Sequence, residues 1–204
     1  GMMTKPGLTI SRWYDAVLEK PELIDQESNL RGMFYWGHAP NSQSRGLDLK
    51  RGMDKLDLLV VVDPFPSATA AMAAMPGKPE DLNPKRAVYL LPACTQFETS
   101  GSVTASNRSI QWREKVMEPL FESRSDHMIM YQLAQKLGFA EHLVKHYKMQ
   151  KVHGMDEPMP EEILREINRS VWTIGYTGQS PERLKAPMRN MNLFDVKTLK
   201  AKGG

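Results

Sequence analysis

The run Leu58-Leu59-Val60-Val61-Val62, closed at once by Asp63-Pro64-Phe65-Pro66, constrains this chain more than any other feature. Five consecutive apolar residues, mostly β-branched, leave no wet face, so the run reads as a strand of a parallel sheet covered on both sides. Neither proline can donate to a sheet ladder, so the strand ends sharply. Upstream, Gly32-Met33-Phe34-Tyr35-Trp36-Gly37 is a second short apolar run closed by glycine. Between the two, residues 44–55 lead into a stripe of Leu49, Met53 and Leu56 at spacings of four and three, which predicts an amphipathic helix. The result is a βαβ unit. Ser67 is placed to cap a helix over 68–75, residues 76–85 read as a loop, and Ala87-Val88-Tyr89-Leu90-Leu91 reads as a third strand stopped by Pro92.

Elsewhere the patterns are more local. A short helix is expected over 10–18, before Pro21. Residues 101–113 alternate weakly and fit either an irregular hairpin or a loop that follows a ligand. A helix over 125–137 begins beside Asp126 and stops at Gly138. Further helices are expected over 140–149 and over 158–174, the latter with Glu161 and Glu162 in its first turn where they oppose the helix dipole. Beyond residue 175 the chain reads as an extended arm. The fold class is α/β, a parallel sheet flanked by helices with an extended C-terminal segment, organised as an N-terminal helix and loop (1–29), an α/β domain (30–150) and a C-terminal helix and arm (151–204).

Composition narrows the function classes. A single cysteine, Cys94, rules out an internal disulfide or a cysteine-built metal cage within these residues. The net charge of +3 is uneven: residues 181–204 hold six Lys/Arg against two acids, or +4, leaving −1 for the first 180. The basicity is a property of the tail, which lacks a nucleic-acid signature, so no nucleic-acid partner is expected. No apolar run approaches the ~18 residues of a membrane helix.

In an open parallel sheet, ligands collect beyond the carboxyl ends of the strands, here the loops 37–44, 63–69 and 92–98. Gly37 permits close backbone approach, and Ser42 and Ser44 are placed to cap the following helix. Asp63 offers two acceptor oxygens of the kind that recognise the paired N–H donors of guanine, or it caps its own turn or the helix beyond; the two readings weigh about evenly on local grounds. Asp126 poses the same choice at a helix start, with the cap favoured. Arg108 and Arg113 suit either phosphate or surface acids. His142 and His146 have a chelating spacing, but a solvated pair is the simpler reading. Cys94 has no histidine near it in sequence and reads as a small core residue, and the fourteen methionines read as core filling.

A series of ordered motifs over 30–138 resembles the molybdopterin oxidoreductase family, and within it the large subunit of formate dehydrogenases. They are Tyr35-Trp36-Gly37-His38-Ala39-Pro40, the run from Lys55 to Ala70, Leu91-Pro92-Ala93-Cys94-Thr95-Gln96-Phe97-Glu98-Thr99-Ser100-Gly101-Ser102, Asn107-Arg108-Ser109-Ile110-Gln111-Trp112-Arg113, and Ser125-Asp126 leading to Leu133-Ala134-Gln135-Lys136-Leu137-Gly138. The resemblance implies a Rossmann-like domain that helps hold a bis(molybdopterin guanine dinucleotide) carrying molybdenum or tungsten. Carried over by position, it implies that Val62 and Asp63 contact a guanosine end, that Gly37 and His38 line the neighbouring loop, and that Thr69 and Asp126 complete the nucleotide pocket.

The chain also departs from the family pattern: Ala39 stands where relatives often have Asn, and Thr99 where they often have Lys. The family's iron–sulfur cysteine motif, its cysteine or selenocysteine metal ligand and the histidine and arginine that act on formate have no counterpart. The resemblance therefore implies a piece of a large subunit, inactive and without cofactor by itself. Its implied partners are the remaining domains of that subunit and an iron–sulfur electron-transfer subunit, with self-association through uncovered apolar surface also expected. The implied parent reaction is formate oxidation to carbon dioxide, with electrons passed to iron–sulfur clusters, in the periplasm or alternatively the cytoplasm. The alternatives are part of a sister molybdenum reductase, or a stand-alone non-catalytic assembly or structural module with the same fold.

Overall fold

In the computed structural model, which describes residues 7–24, 26–38, 43–75, 77–80, 82–107, 109–170 and 178–189, the apolar run is the central strand of a three-stranded parallel sheet. That strand, β2 (Leu58–Asp63), lies between β1 (Gly32–Trp36) and β3 (Ala87–Pro92). The register pairs Trp36 with Val62 and Val62 with Leu91, so all three strands end at one rim. Helix α2 (Gly46–Lys55) joins β1 to β2, and α3 (Ala68–Ala74) lies between β2 and β3. The α/β reading holds.

The chain divides into two compact units, residues 1–93 and 94–204. The core of the first joins Leu59 and Val61 of β2, Tyr35 of β1, Leu49 and Met53 of α2, Leu56, Ala73 of α3, and Trp13 and Tyr14 beside the short helix α1 (Asp15–Leu18). Val60 and Val62, on the opposite face of β2, are buried as well, which is why that strand shows no alternation. Trp13 meets Tyr14 and Tyr35 edge-on, with ring centroids 5.9 Å apart in both pairs.

Helix α2 packs so closely on Tyr14 that a Cβ at Gly52 would lie 2.7 Å from Tyr14 Cβ and 3.3 Å from its Cα. Those atoms are fixed to the backbone and cannot swing aside. Gly52→Ala is therefore expected to destabilise the chain by about 1–3 kcal/mol through overpacking, although alanine is the better helix former. A urea midpoint equal to or above that of the wild type would refute this.

The second unit is built from two antiparallel hairpins and helices. The segment 101–113 resolves into the hairpin alternative, β4 (Gly101–Thr104) with β5 (Ile110–Arg113). Helix α4 (Asp126–Leu137) forms as expected: Ser125 Oγ accepts from Met128 N–H at 3.3 Å, and Gly138 ends the helix at φ 80°. Two expectations are corrected. The helix over 140–149 shrinks to α5 (Ala140–Leu143), and Met149 instead opens β6 (Met149–Val152), which pairs with β7 (Met155–Pro158). His153 and Gly154 both have positive φ, 48° and 77°, as a two-residue hairpin turn requires. Beyond α6 (Pro160–Ser170), residues 181–189 are not extended but form α7 (Pro181–Arg189). Arg183 N–H is capped by Ser180 Oγ at 3.1 Å, and Leu184 is buried with Trp112 and Leu164.

Candidate functional site

The rim of the first unit gathers five of the six residues singled out from the sequence. At Gly37 the amide still donates to Val62 O at 2.9 Å, continuing the ladder one residue past β1. Its φ of 56° then turns the chain off the sheet, and a Cβ there would meet nothing within 4 Å. The backbone at Gly37 is thus open to a close approach. His38 follows, its ring parallel to that of Tyr35 with centroids 5.9 Å apart and its Nε2 2.7 Å from Gln43 Nε2.

Thr69 supplies the next link. Its side chain is fully buried in the first turn of α3, and its Oγ1 donates to the carbonyl of His38, pinning the loop after β1 to the start of α3. Val62 is buried in the strand, and Asp63, half exposed, terminates it. Asp63 Oδ1 accepts from Phe65 N–H at 3.3 Å, closing the Asp-Pro-Phe-Pro turn. Its Oδ2 accepts no hydrogen bond from the described residues, which leaves that oxygen with acceptor capacity to spare. Asp63 does not cap α3. The residue before that helix is Ser67, whose side chain makes no capping bond and whose Oγ is buried without a partner among the described residues.

The helix after β1 also differs from expectation. Ser44 does not cap α2: its carbonyl accepts from Tyr14 Oη at 3.2 Å, and the N-cap is Arg45, at φ 57° with no side-chain cap. Arg45 is held there by Asp15 at 2.9 Å and Asp48 at 2.9 Å, and its guanidinium lies 4.9 Å from the centre of the Tyr14 ring. Burial would raise the pKa of Asp15, but Arg12 and Arg45 outweigh it and hold the carboxyl below its ordinary value. Ala39, Pro40 and Ser42 lie outside the described residues, as do Arg108 and the part of the basic tail beyond residue 189.

The sixth residue, Asp126, belongs to the second unit. It is exposed in the first turn of α4, where Ser125 is the cap, so the expectation that Asp126 itself caps the helix is corrected. Ser125 Oγ also donates to Glu157 Oε1, which His127 Nε2 approaches at 2.9 Å. Arg113 lies on β5 with its Nε buried and unpartnered among the described residues. His142 is on α5 and His146 beyond its end, so one helix does not carry both. No group of three or more His, Cys, Asp or Glu among the described residues is placed to hold a metal ion. The Cys94 thiol is pushed up to about 11 by burial, which keeps it protonated rather than nucleophilic at neutral pH.

A family model described as molybdopterin oxidoreductase matches residues 15–136. The chain belongs to the molybdopterin oxidoreductase family. Among curated relatives of this family, it is 32% identical over 150 residues to formate dehydrogenase 2 subunit alpha (cytochrome c-553) of Nitratidesulfovibrio vulgaris, covering 70% of this chain and 14% of that protein. It is 28% identical over 167 residues to the F420-dependent formate dehydrogenase subunit alpha of Methanocaldococcus jannaschii, covering 81% and 21%. It is 26% identical over 166 residues to a trimethylamine-N-oxide reductase of Vibrio cholerae, covering 74% and 17%. The matches thus span about a fifth or less of these relatives. No described helix is long and apolar enough to cross a membrane.

Three features of the rim leave contacts open to a ligand: the unfilled space at Gly37, the orphaned Ser67 Oγ, and the second carboxylate oxygen of Asp63. Two of the side chains that shape the site, Tyr35 and Gln43, were not singled out in the sequence. Tyr35 reads as an ordinary strand residue, and Gln43 carries no local signal.

Proposed function

We propose that the first unit holds the guanine nucleotide end of a molybdopterin guanine dinucleotide within the large subunit of a formate dehydrogenase. The observation that carries this reading is the half-free carboxylate of Asp63 at the end of a buried parallel strand, beside a Gly37–His38 loop fastened by Thr69. An ionised carboxylate that already accepts one backbone N–H retains acceptor capacity for the N1–H and N2–H edge of guanine. Adenine has no such pair of donors on that edge. Gly37 lets the ligand approach the main chain, Ser67 Oγ supplies a spare donor or acceptor, and the fastened loop holds the cofactor's orientation. When bound, the cofactor supplies the two-electron chemistry that takes formate to carbon dioxide.

Formate is favoured over an N-oxide substrate because two of the three relatives above are formate dehydrogenase alpha subunits. On this reading the partners are the rest of the large subunit and an iron–sulfur electron-transfer subunit. The test is calorimetric titration of the chain with GMP and AMP. GMP is expected to bind and AMP to bind more weakly. Asp63→Ala is expected to weaken GMP by about 1–3 kcal/mol, roughly 5- to 150-fold, as for other paired base contacts. Equal affinity of the wild type and Asp63→Ala for GMP would rule the assignment out.

A further inference from the structure

The second unit presents an aromatic side chain in a way the nucleotide assignment does not use. Leu120 to Ser123 form a tight turn, with Ser123 N–H donating to Leu120 O at 3.0 Å. The first central residue of this turn is Phe121, at φ 52°. Turns with positive φ at that position favour Gly, Asn or Asp, because a bulky side chain is strained there. Phe121 is nevertheless in that conformation, and its side chain is not folded back for shelter: it is 98% exposed.

The turn is fixed rather than loose. Its Leu120 N–H donates to Glu98 Oε1 at 2.6 Å, and Ser123 Oγ lies 3.1 Å from the same oxygen. Glu98 itself is buried and anchored by Thr95. His153 Nε2, in the β6–β7 turn, lies 2.9 Å from Pro119 O. The preceding segment is tied down by Val116 and Met117, whose N–H groups both donate to Phe97 O. Around Phe121 these bonds gather Phe97, Val116, Met117 and Leu120, all of them exposed.

From their fractional exposures, and taking roughly 200 Å² as the full area of a large apolar residue, the five leave about 600 Å² uncovered. That is the upper edge of the apolar patch a typical soluble monomer carries, about 300–600 Å². Two such patches brought together remove about 1,200 Å² from water, the threshold of a standard specific interface. Charges of both signs are neighbours of these residues in the chain, Lys115 paired with Glu118 at 2.6 Å and the exposed Glu122 beside Phe121, so a two-fold pairing can set Lys115 of one copy against a glutamate of the other.

We infer that this patch is a self-association surface, occupied by the same patch of a second copy of the chain, with Phe121 as its central anchor. A two-fold arrangement is the one in which a single self-complementary patch closes on itself. An aromatic residue at the centre of an interface usually carries a large share of its binding energy.

Sedimentation equilibrium of the full chain from low micromolar to near-millimolar concentration tests this, alongside Phe121→Gly and Phe121→Asn. Both variants suit a positive φ, so both are expected to unfold at a urea concentration at or above that of the wild type. The wild type is expected to show a reversible monomer–dimer equilibrium that both variants weaken by about tenfold or more. A wild type that stays monomeric throughout overturns the inference. So does a dimer that survives both substitutions, or a wild type that forms open-ended larger species. None of these results depends on nucleotide binding.

Discussion

Asp54→Ala is expected to cost the first unit about 3–5 kcal/mol, because it breaks a buried ion cluster from one side. Asp54 is 1% exposed on the inner face of α2. Its Oδ1 accepts from Lys50 Nζ one turn earlier and from Arg86 Nη1 at 2.6 Å, just ahead of β3. Arg86 also donates through Nη2 to Ala73 O at 2.9 Å, so one guanidinium links α2 to the end of α3. Removing the carboxylate leaves two largely buried cations without their counter-charge. Most domains are stable by only about 5–15 kcal/mol, so a loss of this size is readily seen in urea unfolding followed by circular dichroism. A loss below about 1 kcal/mol would mean that the cluster is solvated and contributes as little as a surface pair. Gly77 belongs to the same cluster, since a Cβ there would lie 1.9 Å from Asp54 Oδ2.

Glu98→Ala is the second large effect, at about 3 kcal/mol or more, since burying an unsatisfied donor costs about 1–3 kcal/mol each. The Glu98 carboxylate accepts from Thr95 N–H and Thr95 Oγ1, both at 2.7 Å, and from Leu120 N–H at 2.6 Å. Burial alone would raise its pKa. The bonds from Leu120, Thr95 and Ser123 more than offset this and hold it below the ordinary 4.5. Glu157 behaves alike, its burial outweighed by His127, Ser125 and Gln150.

The direction of the pH dependence follows. A carboxyl group whose pKa is lower in the folded chain than in the unfolded one contributes stability that is complete above the unfolded value. That contribution is lost as pH falls through the folded value. Stability is therefore expected to hold from neutral pH down to about 4.5 and to fall at more acid pH. Glu98→Gln, lacking this titration, should show a shallower acid limb. An unchanged limb would place the acid sensitivity elsewhere.

The parts of the fold legible in the sequence are those where one residue type does one job. The run Leu58–Val62 could be read because a strand buried on both faces excludes polar residues altogether. Helix α4 could be read because Gly138 marks its end through the lack of a side chain, whereas its start points to Asp126 when the cap is the neighbouring Ser125. The β6–β7 hairpin could not, because Gln150, Lys151, Asp156 and Glu157 break up any apolar alternation in strands only four residues long. There the turn pair His153-Gly154 was the remaining signal, and it is weaker than Asn-Gly. Helix α7 was missed despite its Ser180-Pro181-Glu182 opening, a recognised start pattern masked by the basic composition around it.

The candidate site divides in the same way. Asp63 stood out because a carboxylate ending an apolar strand is conspicuous in one dimension. The bond from Thr69 to the main-chain oxygen of His38 spans 31 positions and involves an acceptor that every residue possesses, so no composition or spacing announces it. Ser67 illustrates the converse. Its place before α3 signals a cap, but the observed rotamer leaves its hydroxyl unused.

The strand order β1-β2-β3 follows the chain. Each of these three strands finds its partner one crossover away, within residues 1–93. No strand in the sheet has to wait for a distant segment, so the loop-closure cost of assembling it stays small. During synthesis this permits the rim with Gly37, Asp63 and Thr69 to assemble while later residues are still inside the ribosome.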